Sequence, residues 1–299
     1  MLTAVAIFLD GLGFAAWLFL ASVGLTLIYG VMRILNIAHG SLYALGAYAS
    51  ASLIGVYTAT GFPSWGYFLV IIAAAIAVGV VVGLLIEQGI FRFMYGQDEV
   101  LMVLVTYALF LILDDTIKLV WGVSTSYPAH QPYYYLGSVE VMGLPYLVYD
   151  LVLIGIALLC GLLLWLGLNK TRTGKLLLVV IEDREISAAL GINVKLLFTA
   201  TFVVGAFLGA LGGAVTAPKI SVTQGIGAEV IVMAFAVVVI GGMGSIGGAM
   251  IGAVIVGFAR AASVHLLPQA ELFAVFAVMA VVLAVKPYGL FAKSEGRKI

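Results

Sequence analysis

Charge is what this sequence has least of. It carries 14 Lys+Arg and 14 Asp+Glu in 299 residues, 9% charged in all, where a soluble domain has roughly 25%. Zero formal net charge and no basic stripe with interleaved aromatics exclude nucleic acid as an expected partner. The only cysteine, Cys160, rules out a disulfide within the chain, and its apolar setting predicts a buried, inert thiol. His39, His130 and His265 are scattered and far from that thiol, so no metal site is expected. The signatures of an enzyme are missing as well. Thr173-Gly174-Lys175 is followed by Leu176 and lacks the upstream glycine of a phosphate-binding loop, and neither H-E-x-x-H nor G-x-S-x-G occurs. The chain is expected to catalyse nothing and to bind no cofactor. Any ATP that drives it must be hydrolysed by another subunit.

Apolar residues fill the space that charge leaves. The chain is 64% hydrophobic with a mean hydropathy of +1.22, which predicts an all-α polytopic membrane protein, one transmembrane domain over 1–299. About 20 apolar residues cross a hydrocarbon core of about 30 Å. On that rule, spans fall near 7–30, 41–59, 66–87, 100–121, 147–168, 196–216, 228–241, 246–266 and 271–286. The seventh is short for a crossing, and polar or glycine-rich junctions at 31–40 and 241–248 read as breaks inside the membrane, so the total lies between eight and ten helices. The first span lacks a cationic leader and is longer than a signal-peptide core, so it is expected to be retained.

Lys and Arg favour the cytoplasmic side. None occurs between Val120 and Asn169, which turns that long loop outward. Arg33, Arg92, the segment 169–195, Lys286, Lys293, Arg297 and Lys298 then lie inside, giving an outer N-terminus and an inner C-terminus. The outer loop holds Tyr127, Tyr133, Tyr134, Tyr135 and Tyr146, an interfacial belt or a platform for an outer partner. A hairpin through Tyr134 to Met142 would turn at Gly137-Ser138.

Charges within spans are functional candidates, or they are paired. Asp114, Asp115 and Lys118 have helical spacing for a pair. Arg260 needs an acidic partner, with Glu271 and Glu229 the candidates. Polar interruptions supply a second set, because irregular backbone at membrane depth must be buried in protein or line a water-filled cavity. Asn36, His39 and Ser41 interrupt Gly24 to Ser50, and Gly244 and Ser245 lie in IGGMGSIGGAMIGA. Paired interruptions in two halves point to a translocation path. A satisfied buried histidine is an equal reading of His39.

The concentration of charge in Asn169 to Lys195 is the remaining feature. Glu182, Asp183 and Glu185 suit the start of a short helix, Gly191 and Asn193 its end, and Ile186, Ala189 and Leu190 form an apolar stripe. So short a helix is unstable alone in water and must dock on something.

EDREISAALGIN, Glu182 to Asn193, resembles the cytoplasmic coupling loop of ABC importer permeases of the branched-chain amino acid type. TRTGK before it, Asn36-Ile37-Ala38-His39-Gly40, GGMGSIGGAMIGA and the closing KPYGLF extend the resemblance over nearly the whole chain. The N-terminal run is closer to the LivH-like subunit than to its LivM-like partner. The resemblance implies an ABC importer permease fold in a bacterial inner membrane, working with a LivM-like second permease subunit, two ATPase subunits that hold ATP and Mg, and a periplasmic binding protein. It implies alternating access for branched-chain or other hydrophobic amino acids, while related members carry urea, short amides or aromatic acids. Coupling to the ATPase would fall to Glu182, Asp183, Arg184, Ala188, Ala189 and Gly191. A secondary transporter or channel working alone, with Asp114, Asp115 and Lys118 at its centre, and a membrane scaffold are the readings of other classes.

Overall fold

The computed structural model describes residues 2–123, 127 and 129–291. The tail cations Lys293, Arg297 and Lys298 and the loop residue Pro128 lie outside them. Helices α1 (Leu2–Met32), α2 (His39–Thr60), α3 (Gly66–Met94) and α4 (Glu99–Trp121) are followed by a short helix α5 (Gln131–Tyr135) and a hairpin of β1 (Ser138–Val141) with β2 (Leu144–Leu147). Then come α6 (Val148–Lys170), α7 (Arg172–Glu182), α8 (Arg184–Ala189), α9 (Val194–Thr216), α10 (Ile226–Gly241), α11 (Ile246–Leu266) and α12 (Glu271–Val285). Two stretches of π-helix, Ala77–Val82 and Glu87–Phe91, run within α3. Proline punctuates the chain as its chemistry requires: none of the six among the described residues falls inside a helix of more than five residues.

Seven of these helices, α1, α2, α3, α4, α6, α9 and α11, are long and apolar enough to cross a membrane, and α10 and α12 are shorter apolar helices. The all-α polytopic fold stands. The nine apolar segments of the sequence are these nine helices, with two extensions. α3 runs seven residues past its expected end at Glu87, and α7 is an additional amphipathic helix. The hairpin turns at Met142-Gly143, both at positive φ, and not at Gly137-Ser138; the residues before Ser138 are taken by α5.

α1 packs against α6, α9, α10 and α11, and α2 packs against α3, α4, α9 and α10. Among them lie fully enclosed side chains such as Leu18, Ile28, Leu42, Tyr43 and Phe202. α4 and α6 sit outside, showing Leu104, Leu119, Leu158 and Leu163, as surfaces suited to lipid or to another apolar chain do. One end of the bundle carries the hairpin. The other carries α7 and α8, and is called the charged-loop end below.

Both sequence interruptions are breaks. The chain leaves α1 through Arg33, at φ 54°, and returns toward the centre of the bundle before α2 begins. The turn between α10 and α11 lies at the charged-loop end, where Gly244 abuts Gly30 of α1. A third break, residues 217–225 between α9 and α10, has no counterpart in the sequence reading.

Candidate coupling surface and translocation site

The charged segment folds as two helices joined through Asp183, whose backbone is extended. Thr171 caps α7 by accepting the Gly174 N–H at 3.0 Å, and Gly174 lies so close to the Gly167 carbonyl that a side chain there would collide with it. Asp183 then ends α7 and begins α8, its Oδ1 accepting the Ile186 N–H at 2.9 Å. The buried Ser187 hydroxyl donates to the Asp183 carbonyl at 2.6 Å. Gly191, at φ +83°, takes the left-handed position that closes a helix, its N–H reaching the Ala188 carbonyl at 3.0 Å. Asn193 caps α9 through the Leu196 N–H.

The six residues assigned to coupling, Glu182, Asp183, Arg184, Ala188, Ala189 and Gly191, are thereby brought together, and all are exposed. Ile186 and Leu190 beside them are 58% and 72% exposed. Ile186 on this six-residue helix and Leu190 at its C-cap are thus two large apolar side chains left largely uncovered by the described residues.

Arg184 turns back toward the bundle. Its guanidinium lies 5.1 Å from the Phe198 ring centroid and 5.7 Å from that of Tyr95. Tyr95 donates its hydroxyl to Glu87 Oε1 at 2.7 Å, and Glu87 is wholly buried with Oε2 unpartnered. Burial, and with it the adjacent Glu87 carboxylate, pushes the Tyr95 phenol far above its ordinary pKa, so it remains a donor. Arg33, Tyr95, Gln97, Glu99, Arg184 and Phe198 border a cavity of about 190 Å³. Sequence reasoning missed Tyr95, Phe198 and Glu87. The available signal was Glu87 itself, the one acidic residue in the apolar run that forms α3.

Asn36, His39 and Ser41 occupy the break before α2, and all three are buried. The His39 ring nitrogen Nε2 meets the Ala21 carbonyl at 3.2 Å, with Gly24 and Gly209 closing on the ring from α1 and α9. Ser41 donates to the Phe110 carbonyl at 3.2 Å. Phe110 lies eleven residues from either end of α4, roughly 16 Å at 1.5 Å per residue, so α2 begins near mid-depth. Neither Asn36 Oδ1, Asn36 Nδ2 nor His39 Nδ1 has a partner among the described residues. Gly40 faces the Gly227 carbonyl of α10 with no room for a Cβ. Two helix starts therefore meet at the centre of the bundle. Gly244 and Ser245 are not with them: Gly244 abuts Gly30, and Ser245 caps α11 by accepting the Gly248 N–H at 3.0 Å.

The charges within helices are largely paired. Lys118 bridges Asp114 at 2.8 Å and Asp115 at 2.9 Å. Of the two candidates for Arg260, Glu271 is its partner, with Nε donating to Oε1 at 2.6 Å. The guanidinium also lies 4.3 Å from the Phe14 ring centroid and 5.6 Å from that of Trp17. An unpaired arginine at a helix centre in lipid costs about 2.5–3.5 kcal/mol on insertion scales, and this pairing offsets that cost. Toward the hairpin end Lys219 pairs with Asp150 at 2.6 Å, and His265 with Asp10 at 2.7 Å.

The fold is a polytopic helical membrane bundle with a capped, exposed short helix at one end. The chain belongs to the family described as branched-chain amino acid transport system / permease component, whose profile matches residues 7–285. It is similar to the high-affinity branched-chain amino acid transport system permease protein LivH of Salmonella typhimurium, 28% identical over 285 residues that cover 94% of this chain and 92% of LivH. It is also similar to the corresponding protein BraD of Pseudomonas aeruginosa, 26% identical over 97% of this chain and 96% of BraD. A probable LivH of Methanocaldococcus jannaschii is 26% identical over 91% and 88% of the two chains. No solved structure matches the chain.

Proposed function

We propose that this chain is the LivH-like permease subunit of a bacterial ABC importer that carries branched-chain or other hydrophobic amino acids across the inner membrane by ATP-driven alternating access. The observation that carries this reading is α8, whose exposed Ile186 and Leu190 and rigid caps fit a helix that seats in a partner, taken with the transport activity for which LivH and BraD are named. Two cytoplasmic ATPase subunits holding ATP and Mg supply the energy. A LivM-like subunit completes the pore, and a periplasmic binding protein delivers the substrate. The charged-loop end faces the cytoplasm, the N-terminus the periplasm.

In this mechanism ATPase closure pushes on Glu182, Asp183, Arg184, Ala188, Ala189 and Gly191. The push passes through Asp183 into α7 and through Arg184, Tyr95 and Phe198 into α3 and α9. Movement of α3 and α9 loosens the meeting of Gly40 with Gly227, and Asn36, His39 and Ser41, enclosed in the present conformation, open onto the path. Gly244 and Ser245 line its cytoplasmic end. Chemistry on the substrate is not involved.

Leucine uptake by vesicles holding the complete complex tests this assignment. Asn36→Ala and Ser41→Val are expected to lower uptake; normal uptake by both removes these residues from the path.

A further inference from the structure

Because Arg260 and Glu271 satisfy each other, the second carboxylate considered for Arg260, Glu229, is left without a partner among the described residues. It stands exposed in the first turn of α10. Met233, four residues on and so on the same face, takes Arg260 Nη1 on its sulfur at 3.9 Å. The depth of Glu229 follows from its neighbours. Gly227 abuts Gly40, and the residues flanking Gly40 are bonded to Ala21 within α1 and to Phe110 at the middle of α4.

Each membrane face is thus about 15 Å away, beyond the reach of so short a side chain. α10 has only 16 residues, about 24 Å of helix, and the chain that leads to it, 217–225, is non-helical. That connector begins toward the hairpin end, where Lys219 pairs with Asp150 and Val222 bridges Tyr127 of the loop that carries the hairpin, and it descends from there to Gly227 beside Gly40. Ser221 and Thr223 on it are exposed, and so are Glu229 and, three residues along α10, Val232. Lipid does not tolerate an unpaired charge at the depth of Glu229, whereas a water-filled cavity accepts it.

We propose that Glu229 and Val232 form one wall of the water-filled translocation path, with Ser221 and Thr223 at its mouth toward the hairpin end, and that Glu229 receives the ammonium group of the transported amino acid. The carboxylate accepts N–H bonds from the ammonium, a charge-assisted contact. Val232 offers an apolar surface one turn away to an aliphatic side chain. The assignment of the ligand rests on the reading of this chain as an amino-acid permease. A cation on an adjoining membrane subunit would neutralise Glu229 equally well, and the experiment separates the two.

Full transporter complexes in native membranes, with Cys160→Ser as background, would carry Glu229→Cys or Val232→Cys and be treated with small charged methanethiosulfonates. Both positions are expected to label, and leucine during turnover is expected to slow labelling at 232, where the Glu229 carboxylate is intact. In parallel, Glu229→Gln is expected to lower leucine uptake about tenfold or more, the loss of one charge-assisted contact, with Glu229→Asp retaining most of it and the ATPase still co-purifying with both. No labelling at either position would mean that lipid or a neighbouring subunit covers this face, and overturns the proposal. Labelling with undiminished uptake by Glu229→Gln overturns the ammonium site. If the unmutated complex takes up no amino acid, the ligand assignment falls with the permease reading, while the wall stands or falls on labelling alone.

Discussion

The guanidinium of Arg184 lies 5.7 Å from the centroid of the Tyr95 ring, and through that ring the exposed helix α8 touches a carboxylate buried in α3. Tyr95 spends its hydroxyl on Glu87, so one side chain holds both a surface cation and an interior carboxyl group. Tyr95→Phe keeps the ring beneath Arg184 but strips the Glu87 side chain of its one hydrogen bond among the described residues. A buried group left unsatisfied costs about 1–3 kcal/mol, more if charged. The expected outcome is a lower melting temperature in detergent and fewer leucine molecules imported per ATP hydrolysed. Arg184→Ala is expected to reduce that ratio with little effect on melting, because an exposed cation–π contact contributes only about 0.5–1 kcal/mol.

Gly191 should tolerate no side chain, and the reason is its dihedral angle. Nothing lies within 4 Å of a Cβ built there, yet φ is +83°, a conformation that costs an ordinary residue roughly 1–2 kcal/mol. Gly191→Val is expected to loosen the end of α8 and reduce ATPase co-purification, measured by pull-down through a tag on this chain. Gly191→Arg should do so more severely. Full co-purification and full substrate-stimulated hydrolysis with both variants would remove α8 from coupling.

The meeting of α2 and α10 depends on two missing side chains. Gly40→Ala sets a methyl group against the Gly227 carbonyl, backbone that cannot rotate away, and overpacking of this kind costs typically about 1–3 kcal/mol. Thermal unfolding in detergent should show a clear loss for Gly40→Ala. Gly55→Ala, on the same helix with open space around it, should show none.

Arg260 and Glu271 predict a non-additive pair. Removing either leaves a charge within the bundle without its partner, so Arg260→Met and Glu271→Gln are each expected to destabilise strongly. The double variant should be less damaging than the sum of the two, as for buried ion pairs, and a double-mutant cycle on melting data measures the difference.

Much of this fold is legible in the sequence, for identifiable reasons. Spans are set by apolar run length, a property of consecutive residues, so all nine apolar helices can be placed by run length alone. The caps of α8 at Asp183 and Gly191 are local chemistry and equally readable. The descent from 223 to 225 is not, because 217–225, with Ile220, Val222 and its single Lys219, looks like an ordinary outer loop; the contact of Gly227 with Gly40 reveals how deep its inner end lies. Glu87 reads as the end of a span because a charge normally ends one. Its acceptance of the Tyr95 hydroxyl, eight residues on, lets α3 continue to Met94. Glu271 and Glu229 cannot be ranked from the sequence as partners for Arg260, since that choice depends on how α10, α11 and α12 pack.

The most direct test of the account is ATP hydrolysis by the complex purified through a tag on this chain and reconstituted in liposomes with its binding protein. The account predicts that ATPase subunits co-purify, that leucine-loaded binding protein raises hydrolysis, and that leucine accumulates in the vesicles only when ATP is supplied on the side of α8. Leucine flux through the purified chain alone, driven by an ion gradient and indifferent to ATP, would contradict it.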